Sequence, residues 1–180
     1  PDKKPAIKIK AEVKDYFASF VVVDELTKQV KEAIINAAES LVESEGKSVA
    51  NNVVVMGDTK TGKTTLAIEV IKAINRQIDR KGRKVAKINA TVLNSRGLID
   101  SMGKLKGADL IIERAANLNP SLCKELSTIL SEDTDGTIVV LEDDKSAMER
   151  MLKANPQLEE SFSNHIYIKE YDIKEWAKIA

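Results

Sequence analysis

One eight-residue segment constrains the fold of this 180-residue chain more than any other feature: it reads Gly57-Asp58-Thr59-Lys60-Thr61-Gly62-Lys63-Thr64 and fits the pattern G-x-x-x-x-G-K-[ST]. Its glycines lack side chains, so successive backbone N–H groups can turn towards phosphate oxygens. A helix beginning at Gly62 would add the positive end of its dipole. A glycine-containing turn also occurs without a ligand, but the valine strand before this segment and the isoleucine-faced helix after it favour a phosphate-binding loop.

The loop predicts a site for ATP or ADP with Mg²⁺. Lys63 is expected to neutralise the β- and γ-phosphates, and the Thr64 hydroxyl is expected to ligate the metal. The predicted nucleotide-binding residues are those of the loop and the residue behind it: Gly57, Asp58, Thr59, Lys60, Thr61, Gly62, Lys63, Thr64 and Thr65.

The composition narrows the choice of partners. The 28 Lys and Arg residues balance 28 Asp and Glu residues, so no general attraction to nucleic acid or to an anionic membrane surface is expected. The longest apolar runs have the length of a strand, which predicts no membrane span. A single cysteine, Cys123, excludes an internal disulfide. We therefore expect a cytoplasmic protein.

Strand and helix patterns alternate along the chain. Strands are predicted at 52–56, 84–89, 108–113, 137–142 and 164–169, and helices at 24–44, 62–79, 93–105, from Pro120 onward, and at 145–154. The Val53-Val54-Val55 core of the first of these strands lacks polar alternation, which is typical of parallel strands covered on both faces. The sequence therefore predicts an α/β fold, with a parallel sheet between two layers of helices.

Three segments carry a resemblance to a known family. Val21-Val22-Val23-Asp24-Glu25-Leu26 with Gln29-Val30-Lys31 looks like an opening loop and first helix, and the phosphate loop looks like a Walker A region. Residues 148–158, followed by Phe162, look like the stretch before a final strand. In this order, from Phe20 to about Trp176, the chain resembles the AAA+ ATPases, in particular the CbxX/CfxQ group with the stage V sporulation protein K type and the rubisco activases.

This resemblance implies the P-loop NTPase three-layer sandwich, with five strands in the order 5-1-4-3-2. It makes residues 13–170 a nucleotide-binding α/β domain and residues 171–180 the start of a truncated helical lid. It also implies that Val22 and Val23 flank the adenine. The partners expected from it are other domains or subunits of a larger protein, and the isolated chain is expected to be a monomer. The two prolines and many lysines of residues 1–12 predict a flexible basic tail.

The chain departs from the family pattern at the positions that hydrolysis needs. Where the Walker B strand of the family ends in Asp-Glu, this chain has Glu113 and Arg114, and a guanidinium cannot accept a proton from water. Where the family has an arginine finger, this chain has Ser161, preceded by Glu159 and Glu160. Residues 89–108 also lack the family's pore loop. These departures from the family pattern predict weak or absent hydrolysis.

A second acidic strand end leaves the metal assignment open. The predicted strand 137–142 ends in Glu142 and is followed by Asp143, and a simpler P-loop protein would use it as Walker B, whereas the AAA+ alignment makes it the sensor-1 strand. Glu113, Glu142 and Asp143 are therefore the candidate catalytic residues, and Thr64 and Glu113 the candidate Mg²⁺ ligands. The plain alternative is a solvated acidic turn that caps the helix near Lys145.

Three functions remain open at this point. The first is a nucleotide-binding domain with impaired catalysis and a regulatory or structural role. The second is an active ATPase of the chaperone or remodelling type that uses non-standard acidic residues. The third is an interaction module with a vestigial P-loop. The basic cluster at Arg76, Arg80, Lys81, Arg83 and Lys84 is expected to be a solvated helix end, with docking of an acidic partner as the alternative.

Overall fold

Five parallel strands form one sheet in the order β2-β3-β4-β1-β5. The computed structural model describes residues 24–44, 50–58, 61–98, 107–132 and 134–169. The strands are β1 Val53–Gly57, β2 Lys84–Asn89, β3 Ala108–Glu113, β4 Val139–Asp143 and β5 Asn164–Ile168. Read from the other edge, this is the predicted order 5-1-4-3-2, which is confirmed.

Six helices and one 3₁₀ turn are present in the described ranges. They are α1 Asp24–Glu43, α2 Lys63–Gln77, α3 Ala90–Arg96, the 3₁₀ turn Ala115–Asn117, α4 Pro120–Ser131, α5 Lys145–Ala154 and α6 Pro156–Ser161. Helices α1 and α2 pack on one face of the sheet, and α3 to α6 pack on the other. None of the helices described is both long and apolar enough to cross a membrane.

The central strands are apolar because both of their faces are covered. Every residue of β1 is buried, and the first four residues of β4 are buried as well. Alternate residues face opposite layers, so Val53 and Val55 join the core under α1 and α2, whereas Val54 joins the core under α4 and α5. Each such side chain contributes about 1.5–3 kcal/mol by leaving water. This packing fixes the direction in which the loop after β1 leaves the sheet.

The helices differ from the sequence prediction at two places. The helix predicted at 93–105 begins at Ala90, because the Asn89 side chain accepts a hydrogen bond from the Thr91 backbone N–H and caps it early. Helix α3 ends at Arg96, before Gly97 at φ 78°, and residues 99–105 of the predicted helix lie outside the described residues. The helix α6 was not predicted, since only Leu158 among its residues is buried and so short a segment shows no apolar period.

Several predicted features lie outside the described residues. They are the basic tail at 1–12, the lid segment at 171–180, the adenine-flanking Val22 and Val23, and the loop residues Thr59 and Lys60.

The basic cluster is not simply a solvated helix end. Arg83 approaches the fully buried Asp109, with its Nε 3.0 Å from Asp109 Oδ1, and Arg80 Nη2 lies 3.8 Å from the same oxygen. The Asp109 carboxylate draws both guanidiniums inward. The prediction of solvation is therefore wrong for these two residues.

Candidate nucleotide-binding site

The two glycines of the phosphate loop occupy positions that a side chain would disturb, Gly62 through its backbone conformation and Gly57 through its close contacts. Gly62 precedes α2 at φ 79°, in the left-handed region, and its carbonyl accepts the Leu66 N–H at 3.0 Å. A Cβ added at Gly57 would lie 2.6 Å from Thr61 Oγ1 and 3.2 Å from the Ile168 carbonyl oxygen. Gly57 thus lets the loop fold closely against β5, and Gly62 turns it into the helix.

Donors of the loop converge on a single oxygen. The Asp58 carbonyl accepts hydrogen bonds from Lys63 Nζ at 2.8 Å, from Thr61 Oγ1 at 2.8 Å and from the Thr61 backbone N–H at 3.2 Å. The loop therefore curls inward, and its lysine amine reaches across the mouth. A phosphate oxygen would compete with this carbonyl for Lys63, and its negative charge would make the stronger acceptor.

The Thr64 hydroxyl lies against the end of β4. Its Oγ1 donates to the Glu142 carboxylate and is 2.8 Å from both carboxylate oxygens, although the two residues are 78 positions apart. The contact arises because β4 pairs directly with β1, with Val55 opposite Glu142. Glu142, rather than Glu113, is thus the acid that the fold brings to the predicted metal-binding hydroxyl. Thr65, the next residue, is exposed.

Glu113 and Glu142 form a pair of neighbouring carboxylates. They are register partners on β3 and β4. Burial raises the pKa of Glu142, the nearby charges of Glu113 and Asp143 raise it further, and the Thr64 hydrogen bond and Lys63 oppose this rise. A divalent cation at this point would relieve the repulsion between the carboxylates.

The donor set fits Mg²⁺ that arrives with a nucleotide. Mg²⁺ usually takes one or two protein oxygens together with substrate phosphates and water. In the described part of the chain, no three His, Cys, Asp or Glu side chains are grouped as a metal site of their own. Thr64 and Glu142 would supply the protein side of the coordination, directly or through water, and the phosphates would supply the rest.

Replacing Glu142 with glutamine should stabilise the nucleotide-free protein by about 1 kcal/mol while weakening Mg·nucleotide binding. Glutamine keeps an oxygen that accepts from Thr64 but removes a buried charge. A raised folded-state pKa means that charging Glu142 costs stability as the pH rises through that value, so the gain should be present at neutral pH and vanish in acid. Urea unfolding at both pH values measures it. Glu149→Gln, which changes an exposed carboxylate on α5, should show little gain at either pH.

Asp143 has a structural role in this arrangement. Its Oδ2 accepts the Ala116 N–H at 3.0 Å, and its Oδ1 accepts the Asp144 N–H at 2.8 Å. Both oxygens are used by the backbone, so Asp143 fixes the 3₁₀ turn that follows β3. Of the candidate catalytic acids, only Glu113 has a carboxylate that makes no hydrogen bond to another described residue.

The two positions that depart from the family pattern lie at opposite edges of the sheet. Arg114 follows β3 directly and is exposed, at the same edge as the phosphate loop. Ser161 ends α6, and its carbonyl accepts from Asn52 Nδ2 at 3.3 Å. Asn52 precedes β1, whereas the phosphate loop follows it, so about 17 Å of strand separates them. A side chain at position 161 is therefore far from the phosphate loop of its own chain.

Comparison with known proteins places the fold. No family model and no curated protein matches the chain. Among solved structures, domain III of the replication initiation protein DnaA from Thermotoga maritima is 21% identical with a TM-score of 0.57, and the match covers 95% of this chain and 74% of that one. A point mutant of RuvB from the same organism is 16% identical with a TM-score of 0.58, covering 89% of this chain and 50% of RuvB.

The ORC2 protein of Aeropyrum pernix, solved as ADPNP–ADP complexes, is 18% identical with a TM-score of 0.53, and the match covers 81% of this chain and 50% of ORC2. The chain thus spans about half the length of RuvB and ORC2. At sequence identities this low, these structural likenesses show a shared fold alone. By strand order, phosphate loop and these likenesses, the chain has the five-stranded P-loop NTPase fold.

Proposed function

We propose that the chain is a nucleotide-binding domain of a larger protein, that it holds ATP or ADP with Mg²⁺, and that it hydrolyses the nucleotide weakly or not at all. The observation that carries this is the contact of Thr64 with Glu142 beside Lys63 at the mouth of the phosphate loop. It joins a metal-binding hydroxyl, its acid and a phosphate-binding amine.

The role of such a domain is regulatory or structural. Glu113, Glu142 and Asp143 crowd negative charge where the phosphates would lie, so a nucleotide needs Mg²⁺ to enter without repulsion. No acid follows Glu113 to polarise water, since Arg114 occupies that position. The side chains that would bind the nucleotide and Mg²⁺ are therefore in place, whereas the acid that would polarise the attacking water is missing from position 114.

The finer kinship that we propose is with the CbxX/CfxQ group, on the sequence segments at 21–31 and 148–158. The domain would act in the cytoplasm, with other domains or subunits of the same protein as its partners. Support for the last point comes from length, since the chain spans half of the RuvB and ORC2 chains that share its fold. Nucleic acid and membranes are not part of the proposal, because the charges balance.

One observation favours a second candidate, an active ATPase. The Glu113 side chain is partly exposed and makes no hydrogen bond within the described ranges, so it could accept a proton from water. Its register partner Glu142 already serves Thr64, and Asp143 serves the backbone. This candidate would therefore rest on Glu113 as the base.

Mg·ADP and Mg·ATP should bind the wild-type chain and raise its thermal stability. A ligand at one hundred times its dissociation constant stabilises the folded state by about 2.7 kcal/mol. Lys63→Ala should weaken binding about 10- to 100-fold, because hydrogen bonds to charged groups contribute about 1.5–3 kcal/mol each. Calorimetric titration and thermal unfolding with either nucleotide measure both effects.

The control is Lys87→Ala, which removes the same charge from an exposed position on β2. It should leave both dissociation constants unchanged. Chelation of Mg²⁺ with EDTA should weaken ATP binding to the wild type, since the carboxylates would then face the phosphates without a cation. If millimolar nucleotide causes no shift in melting temperature, the P-loop is vestigial and the proposal is wrong.

A further inference from the structure

We propose that Arg114 binds the terminal phosphate of a nucleoside triphosphate within the same chain and makes the domain prefer triphosphate over diphosphate. This inference rests on the proposed function and adds a specificity-determining residue to the same site. It begins from an unusual backbone: Arg114 has φ 52°, in the left-handed region that only a few per cent of non-glycine residues adopt.

The fold holds the Arg114 backbone firmly. The Arg114 carbonyl accepts the Asn117 N–H at 3.0 Å, and the next residue, Ala115, is fully buried. The Ala116 N–H is bound by Asp143 Oδ2 at the end of the neighbouring strand β4. A turn fixed on both sides gives the side chain a defined starting point at the edge of the sheet where the phosphate loop lies.

The side chain of Arg114 is free to take a ligand. It is exposed, and within the ranges that the structure describes it forms no ion pair and no side-chain hydrogen bond. Arg80 and Arg83, by contrast, are engaged with Asp109. An unpaired guanidinium can bind a phosphate, since its planar fork matches the spacing of two phosphate oxygens.

The strand order places this cation within reach of the phosphates. The Thr64 hydroxyl at the phosphate loop is bonded to Glu142 at the end of β4. Strand β3, which Arg114 follows directly, is the next strand in the sheet, at a spacing of about 4.8 Å. A terminal phosphate that extends from the loop past β4 would therefore come within reach of Arg114, and the inner phosphates would stay on the loop.

Local charge gives the contact its selectivity. Glu113, Glu142 and Asp143 stand at the ends of β3 and β4, and Lys63 is the cation opposite them. A third phosphate brings more negative charge towards these acids, which Arg114 would offset. ADP lacks this terminal phosphate and would gain nothing from Arg114.

The test compares Mg·ADP with the Mg complex of an ATP analogue that has a β,γ-imido linkage. Arg114→Asn is the main variant, because asparagine tolerates the left-handed conformation and carries no charge. Arg114→Asn should weaken the triphosphate analogue about 10-fold, as expected for loss of one charge-assisted hydrogen bond, and change ADP affinity less than about 2-fold. The triphosphate affinity of Arg114→Lys should lie between those of the wild type and of Arg114→Asn. Arg96→Ala, which removes an exposed arginine at the end of α3, should match the wild type.

The outcomes separate this inference from the proposed function. Unchanged binding of both ligands in Arg114→Asn, or an equal loss for both, would overturn the role of Arg114 and leave nucleotide binding intact. If the wild-type chain binds neither ligand, both proposals are wrong. Retained ADP affinity in Arg114→Asn also shows that the variant is folded.

Discussion

Replacing Asp109 with alanine should destabilise the fold by about 3–5 kcal/mol, the usual result of removing one partner from a buried ion pair. Asp109 is fully buried at the start of β3, and its carboxylate is saturated with donors. Oδ1 accepts from Arg83 Nε at 3.0 Å and from the Ile138 N–H at 2.9 Å, and Oδ2 accepts from Asn75 Nδ2 at 2.7 Å. One side chain thus joins α2, β3 and the segments that lead into β2 and β4.

The loss would be large because the groups left behind are charged. Burial and the nearby charge of Arg83 lower the pKa of Arg80, and Asp109 counteracts this effect. Without Asp109, two partly buried guanidiniums would repel each other across a cavity. Since small domains are stable by only about 5–15 kcal/mol, the variant should unfold at a much lower urea concentration.

Urea unfolding followed by circular dichroism measures the change. Asp144→Ala, which removes an exposed carboxylate that makes no capping hydrogen bond to α5, is the matched control and should stay within about 0.5 kcal/mol of the wild type. A double-mutant cycle with Arg83→Ala tests the pairing. The double variant should lose about 1–3 kcal/mol less unfolding free energy than the two single variants lose together. Additive losses would mean that Asp109 matters for packing rather than for its charge.

The sequence predicts the sheet well because its central strands are short and buried on both faces. Val53, Val54 and Val55 have no polar alternation, and β3 and β4 are likewise buried over most of their length. The number of strands and the strand order implied by the resemblance are confirmed. The glycine requirements of the phosphate loop are also local, since Gly62 needs a left-handed backbone and Gly57 a close approach. The strands and the glycine positions depend on residues that are close together in the chain, so the sequence alone predicts them.

Contacts between distant segments were not accessible in the same way. The Thr64–Glu142 bond joins residues 78 positions apart, whereas the sequence alone left Glu113, Glu142 and Asp143 as catalytic candidates and named Glu113 as the metal ligand beside Thr64. Only the pairing of β4 with β1 separates them. Asp109 likewise finds Arg83 at 26 positions and Asn75 at 34, so the arginines looked like surface residues in a run of basic side chains.

The second prediction with a large effect is that the wild-type chain should release phosphate from ATP at the background rate. The attacking water needs a proton acceptor near the terminal phosphate, and such a base is worth about 10²–10⁴-fold in rate. The AAA+ resemblance puts that base at the position of Arg114, which is a permanent cation. An arginine finger contributes a further factor of about 10³–10⁵, and position 161 offers serine.

The geometry makes each loss hard to compensate. Glu142 is committed to Thr64, and Asp143 gives both oxygens to backbone N–H groups. Ser161 lies at the edge of the sheet opposite the phosphate loop, so only a neighbouring copy could present a finger from that position, and Glu159 and Glu160 beside it are both exposed and acidic. Of the three candidate acids, Glu113 is the one whose carboxylate forms no hydrogen bond to a described residue.

Steady-state phosphate release, measured over a wide range of protein concentration, tests this directly. The rate should stay at background throughout, and Lys63→Ala should be indistinguishable from the wild type. Turnover that rises with protein concentration and disappears in Lys63→Ala would establish an active ATPase assembled from several copies. In that case Glu113→Gln should abolish the turnover, which identifies the base.

Arg114→Glu alone should not restore hydrolysis, even though it returns an acid to the position that the family uses. The variant would place a carboxylate next to Glu113 and Glu142, raising the repulsion towards ATP, and it would remove the cation that we assign to the terminal phosphate. Its triphosphate affinity should therefore fall below that of Arg114→Asn, while the finger position stays serine. Fast phosphate release by Arg114→Glu would show that the missing base alone keeps this domain inactive and that the finger contributes little.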